Sequence, residues 1–159
     1  MKVLVVSDSH GRDQRLEEII EKVKPIDMLI HCGDIEGKEE YIASLVDCPI
    51  RMVAGNNDFF CDLKREEEFY IGRYKVLLTH GHYYYVTMST QRICQEAVER
   101  GCDVVLFGHT HRPMVEMQKG VVICNPGSVS YPRQEGRRPS FLILDLDRDG
   151  ELHYTLNYC

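Results

Sequence analysis

The sequence predicts one α/β domain in which two mixed β-sheets pack together, with helices outside. Two observations carry this. Through residues 1–54, short apolar runs alternate with amphipathic stretches in the order β-α-β-α-β, which favours a parallel sheet covered by helices. Toward the C-terminus several short strands succeed one another, two of them joined by the hairpin turn Asp149-Gly150. With 159 residues and no internal repeat, low-complexity segment or linker, residues 1–159 read as a single domain with its own core.

The elements follow in order. Residues 2–6 form a β-branched and leucine run, the mark of a buried strand. Leu16, Ile19, Ile20 and Val23 fall on one face of a helix that Pro25 ends. Residues 27–32 are a second strand, 38–46 a short helix and 50–54 a third strand. A charged loop is expected over 62–68, then a hairpin of 68–71 and 75–79 around Gly72-Arg73. Residues 89–100 carry Ile93, Ala97 and Val98 on one helical face and stop at Gly101. Strands are predicted over 103–107, 114–117, 121–124, 140–145 and 151–156.

Composition narrows the functions. A net charge of −6 and a pI near 5.6 argue against a broad basic surface holding duplex nucleic acid. A nucleotide or phosphoester substrate stays open, because bound metal ions could supply positive charge locally. The seven cysteines are odd in number and lack a C-x-x-C, which argues against a disulfide scaffold or zinc ribbon. They read as small core hydrophobes in a reducing compartment. The N-terminus is too short in apolar residues for a signal-peptide core, and no segment approaches membrane-spanning length. A cytoplasmic protein without a membrane partner is the expectation.

Chemistry-bearing residues recur just after apolar strands. VLVV leads to Asp8 and His10, MLIHC to Asp34, IRMVA to Asn56, YKVLLT to His80 and His82, and VVLF to His109 and His111. In open α/β sheets, ligand sites lie beyond the carboxyl ends of strands. Asp8 and His10 are two apart, so in extended chain they point to one side and could grip one ion; His109 and His111 share that spacing. Carboxylate, imidazole and amide oxygen together suit Mn, Fe, Zn, Ni or Co. Seven candidate ligands exceed one tetrahedral site but fit two ions sharing a bridging carboxylate. Each fragment alone is a common turn; five in this order, each after a strand, are not explained that way.

Taken together, Asp8 with His10, Gly33-Asp34, Gly55-Asn56, His80 and Gly108-His109-Thr110-His111 resemble the signature of the calcineurin-like metallophosphoesterase superfamily. Asn125-Pro126-Gly127-Ser128 followed by Pro132-Arg133 is similar to its small prokaryotic phosphodiesterase branch. The resemblance implies an αββα sandwich and two divalent transition metal ions, Mn first, with Ni, Fe, Zn or Co as alternatives. It implies Asp8, His10 and His111 for one ion, Asn56, His80 and His109 for the other, and Asp34 between them. The reaction implied is hydrolysis of a small phosphodiester or nucleotide-like substrate by a hydroxide bridging the ions. Where the family has His after the ligand Asn, this chain has Asn57. An amide donates a hydrogen bond but no proton, which biases the site toward leaving groups that need little protonation. Among residues with catalytic roles, His82 could supply the proton instead, and Asp58 would orient the loop or a ligand histidine. The alternatives are a non-catalytic interaction module, as in the retromer subunit of this fold, or a phosphomonoesterase. A homo-oligomer is left open.

Overall fold

The computed structural model describes residues 1–159. The chain begins with β1 (Lys2–Val6), α1 (Gln14–Val23), β2 (Met28–His31), α2 (Glu39–Ser44) and β3 (Ile50–Met52). There follow β4 (Glu66–Ile71), β5 (Tyr74–Thr79), a 3-10 turn at His82–Tyr84, α3 (Gln91–Glu99) and β6 (Val104–Leu106). The C-terminal strands are β7 (Met114–Gln118), β8 (Val121–Asn125), β9 (Ser140–Leu146) and β10 (Leu152–Tyr158).

These strands make two mixed five-stranded sheets, in the orders β10-β9-β1-β2-β3 and β4-β5-β6-β8-β7. In the first, β1, β2 and β3 run parallel and the β9–β10 hairpin adds antiparallel at the β1 edge. In the second, β5, β6 and β8 run parallel, with β4 and β7 antiparallel at the two edges. The alternation of a strand explains the layering. Val3 and Val5 face the second sheet and share a core with its Leu78 and Leu106 and with Ile30 and Leu142 of their own sheet. Leu4 and Val6 face the opposite way, onto Leu16, Ile19 and Ile20 of α1 and Ile42 of α2. A strand buried on both faces is apolar at every position, as the opening VLVV is. On the far side, Ile93, Cys94 and Ala97 of α3 cover Leu77, Val105 and Ile123. The αββα sandwich is therefore the fold.

Two expectations need correction. Glu66 and Glu67 belong to β4 and not to a loop, because the hairpin register runs on to the Glu66–Thr79 pair. The charges of this strand are met, Glu66 and Glu68 by Arg100, Glu68 also by Lys75, and Glu67 by Arg51. Val98 is 41% exposed, and Cys94 takes its place in the buried stripe of α3.

The chain passes directly from β1, β2, β3, β5 and β6 into the loops bearing the candidate ligands. Close contacts bring those loops to one edge. The backbone N–H of Asp8 donates to the Gly33 carbonyl (3.0 Å), that of His10 to the Asp34 carbonyl (3.0 Å) and that of Gly108 to the His80 carbonyl (3.1 Å). A side chain at Gly55 would run into the backbone and carboxylate of Asp34, and one at Gly108 into Ser7 and Asp8. Glycine at 55 lets two loops of the first sheet touch, and glycine at 108 lets loops from the two sheets touch.

Candidate metal centre

Five of the seven candidate ligands have left-handed backbone: Asp8 (φ 55°), His10 (49°), Asp34 (58°), His109 (67°) and His111 (56°). This conformation is disfavoured for residues with a Cβ and persists only where the surroundings over-determine it. Here they do. The Asp8 carbonyl accepts hydroxyl hydrogen bonds from both Ser128 and Ser130, each 2.8 Å. The Asn125 amide holds the Gly108 carbonyl (2.8 Å) and the Thr110 hydroxyl (3.0 Å). The D-x-H and H-x-H pairs are thus not extended; Asp8 and His10 still reach one cluster of donor atoms, whereas His109 and His111 part. His111 lies with His10, their ring centroids 5.1 Å apart, while His109 lies against His80 at the same distance.

The histidine tautomers follow from their partners. His10 Nδ1 donates to Glu36 Oε1 (2.7 Å), His80 Nδ1 to the Cys32 carbonyl (2.7 Å) and His111 Nδ1 to the Tyr131 carbonyl (2.6 Å). Those oxygens only accept, so in each neutral ring Nδ1 carries the proton and Nε2 is a bare lone pair. The bare nitrogens converge. His10 Nε2 and His111 Nε2 are 3.2 Å apart, and His111 Nε2 is 3.0 Å from Asp8 Oδ1. His10 Nε2 is 3.7 Å from Asp34 Oδ2, and His80 Nε2 is 3.4 Å from the same oxygen and 3.0 Å from Asn56 Oδ1.

Lone pairs and anionic oxygens at these distances repel unless positive charge lies between them. Asp8 Oδ1 is fully buried and makes no hydrogen bond, although Oδ2 of the same carboxylate accepts from the Ser7 hydroxyl and the His109 N–H. The donor atoms of Asp8, His10, Asp34 and His111 all lie within 4.8 Å of one another. These residues fit a divalent ion, and Asp34, His80 and Asn56 adjoin them as the start of a second set. No thiol takes part: Cys32, nearest in sequence, lies in the core, where burial pushes its thiol far above its ordinary value.

The carboxylates draw His80 toward its protonated form, which itself supplies positive charge at the site. Burial would push Asp8 up, but His111, His80 and Ser7 outweigh it and hold the carboxyl below the usual range. Burial likewise opposes ionisation of Asp34, and His80 and Asn57 overcome it, so Asp34 is also held low. His80 is raised, because Asp34 and Asp8 outweigh the burial that lowers it. His109 is lowered by burial and by His80.

The Gly55–Asp58 loop divides its work. Asn56 turns its amide oxygen toward His80. Asn57 turns to Asp34: its backbone N–H donates to Oδ1 (2.9 Å) and its side-chain amide to Oδ2 (2.8 Å). Asp58 touches no candidate ligand side chain. Its carboxylate accepts four backbone N–H groups, from Gly55 (2.7 Å), Asp34 (2.8 Å), Ile35 (2.7 Å) and Glu36 (2.6 Å), and so ties the β3 loop to the β2 loop. His82 stands at the rim, its ring centroid 5.4 Å from that of His80 and 6.0 Å from that of His109. Its Nδ1 is buried without a partner, and burial with the neighbouring imidazoles lowers it to about 4.

Sequence reasoning missed the supports. Ser7 donates to Asp8 Oδ2 (2.5 Å), Glu36 orients His10, and Ser128 and Ser130 hold the Asp8 backbone. Only the Asn-Pro-Gly-Ser motif gave a signal for any of them.

Comparison with known proteins agrees with this geometry. A model of the calcineurin-like phosphoesterase superfamily domain matches residues 1–149. A probable metallophosphoesterase of Bacillus subtilis, YsnB, is 38% identical over 150 residues, covering 94% of this chain and 86% of that one. A phosphodiesterase of Methanocaldococcus jannaschii, MJ0936, is 30% identical, covering 80% and 83%. Among solved structures, a predicted phosphoesterase of Streptococcus pneumoniae superposes with a TM-score of 0.81 at 27% identity, covering 99% and 97%. A variant of Vps29 from Entamoeba histolytica superposes at 0.79 with 23% identity, covering 100% and 99%, a likeness of fold alone. By sequence match and by architecture, the chain belongs to the calcineurin-like phosphoesterase superfamily.

Proposed function

We propose that the protein is a dinuclear metal-dependent phosphodiesterase. The observation that carries this reading is the convergence of three Nδ1-protonated histidines on two ionised carboxylates, with Asp8 Oδ1 buried and unbonded. Asp8, His10 and His111 would hold one ion, Asn56, His80 and His109 the other, and Asp34 would lie between them. Two divalent ions there would neutralise a phosphoryl group and supply a water of lowered pKa.

The chain's own part is to place charge and hold it still. Asp8 and Asp34 supply the negative charge, and Asn56 a neutral oxygen. Glu36 fixes the tautomer of His10, as the Tyr131 carbonyl does for His111 and the Cys32 carbonyl for His80. Asn57 steadies Asp34 and is not free to face a leaving group. With no protonated imidazole in the Asn57 position, the site favours leaving groups that depart unprotonated. Purified protein with Mn²⁺ is therefore expected to hydrolyse bis(p-nitrophenyl) phosphate faster than phenyl phosphate. The opposite preference would favour a phosphomonoesterase.

Two substitutions probe the supports. Glu36→Ala is expected to weaken metal binding by about 10–100-fold, read by calorimetric titration, because His10 loses its orienting acceptor. Asn57→Ala is expected to lower kcat/KM by roughly tenfold on aryl diesters of good and poor leaving groups alike, as suits a residue that positions Asp34. A loss confined to poor leaving groups would give Asn57 a role at the leaving oxygen instead.

A further inference from the structure

One wall of the ligand cluster opens into a cavity of 720 Å³. Its volume lies within the roughly 300–1,000 Å³ of small-molecule sites. His10 and His111 bound it on the inner side, and Arg112, Tyr131, Arg133 and Arg137 on the outer. Its charge is unusual for a chain of net −6. Of the arginines elsewhere, Arg15, Arg51, Arg73 and Arg100 have a carboxylate partner, and Arg12, Arg65, Arg92, Arg138 and Arg148 have none. Arg112, Arg133 and Arg137 form no ion pair, and the cavity's one acid, Glu36, is turned to His10 at 2.7 Å. Arg12, outside the lining, stacks 4.7 Å over the Tyr131 ring.

The arginine segment is fastened to the metal-ligand loop. The Arg133 N–H donates to the His111 carbonyl (3.0 Å), and the Tyr131 carbonyl accepts from His111 Nδ1 (2.6 Å). Arg137 has left-handed backbone (φ 44°) in a turn closed by its N–H on the Gln134 carbonyl (3.1 Å). A guanidinium is a fixed fork of donors that matches phosphate oxygens in pairs. Three of them beside a phosphoryl centre, with Pro132 the one aliphatic residue of the lining, suit an anion and not an apolar tail.

We infer that this cavity is a subsite for a second phosphate on the substrate. The preferred substrates are then phosphodiesters that also carry a phosphomonoester group. The identity of the scissile bond rests on the phosphodiesterase reading above; the subsite does not.

Binding and turnover test the two separately. In chelator, thymidine 3′-monophosphate is titrated calorimetrically into the full chain. Arg133→Gln with Arg137→Gln is expected to weaken binding by about tenfold, since hydrogen bonds to a charged group are lost. All four positions chosen for substitution are exposed, so each variant should match the parent melting temperature. The control pair Arg92→Gln with Arg148→Gln, equal in charge and outside the cavity, leaves the affinity unchanged. With Mn²⁺, thymidine 5′-(p-nitrophenyl phosphate) is compared with the same ester bearing a 3′-phosphate. The 3′-phosphorylated ester is expected to have a kcat/KM about tenfold higher, and the Arg133/Arg137 variant to lose that advantage. An unchanged affinity in that variant, or an equal loss in the control, overturns the subsite. So does turnover with no preference for the 3′-phosphate. Arginine-dependent binding without turnover of either ester supports the subsite and overturns the phosphodiesterase reading instead.

Discussion

Asp34→Asn is expected to lower kcat/KM on an aryl phosphodiester by at least about 10³-fold, the several kcal/mol that metal-assisted charge stabilisation supplies. Asp34 is the carboxylate nearest to both halves of the site, with Oδ2 3.7 Å from His10 Nε2 and 3.4 Å from His80 Nε2. The replacement is isosteric but removes the negative charge that would lie between two cations. It also turns one oxygen, now hydrogen-bonded to Asn57, into an amide nitrogen. Steady-state kinetics at saturating Mn²⁺ checks the loss, with circular dichroism to confirm that the fold is kept. Retention of a tenth or more of the activity would remove Asp34 from the shared position.

Asp58→Ala is expected to cost about 3–5 kcal/mol of stability and to lower Tm by roughly 10–15 °C. One carboxylate serves four backbone N–H groups from two loops, and alanine leaves all four without that partner. Water can reach part of this site because Asp58 is only half-buried, which keeps the figure below the sum of four charge-assisted bonds. Thermal melts of the metal-free variant and parent measure it. A shift under about 3 °C would mean the loops are held by other contacts. The two effects are separable: Asp34→Asn removes function with the fold kept, and Asp58→Ala loosens the fold that carries the function.

Much of this was legible in the sequence because it rests on local chemistry. The double-sided burial of β1 shows in VLVV, and the α1 stripe in Leu16, Ile19 and Ile20. The candidate ligands stand out because Asp, His and Asn follow apolar strands where turns alone would not require them. What stayed hidden depends on loops 22 to 26 residues apart coming together. Nothing in Asn-Asn-Asp announces that Asn57 will grip Asp34 or that Asp58 will gather the backbone of residues 34–36. Nothing marks Glu36 as the partner of His10. The left-handed backbone at Asp8, His10, His109 and His111 was hidden for the same reason, and with it the separation of His109 from His111. Val98 was misjudged for a smaller reason, since Cys94 fills the helical stripe as well as valine does.

The central claim is that this convergence of lone pairs and carboxylates exists to hold two divalent ions that drive hydrolysis. Metal-stripped protein should be titrated with Mn²⁺ while binding stoichiometry and hydrolysis of bis(p-nitrophenyl) phosphate are followed together. The account predicts no turnover in chelator, recovery as Mn²⁺ is added, and saturation of both signals at two ions per chain. Undiminished turnover in chelator, or a chain that binds no Mn²⁺, would contradict it.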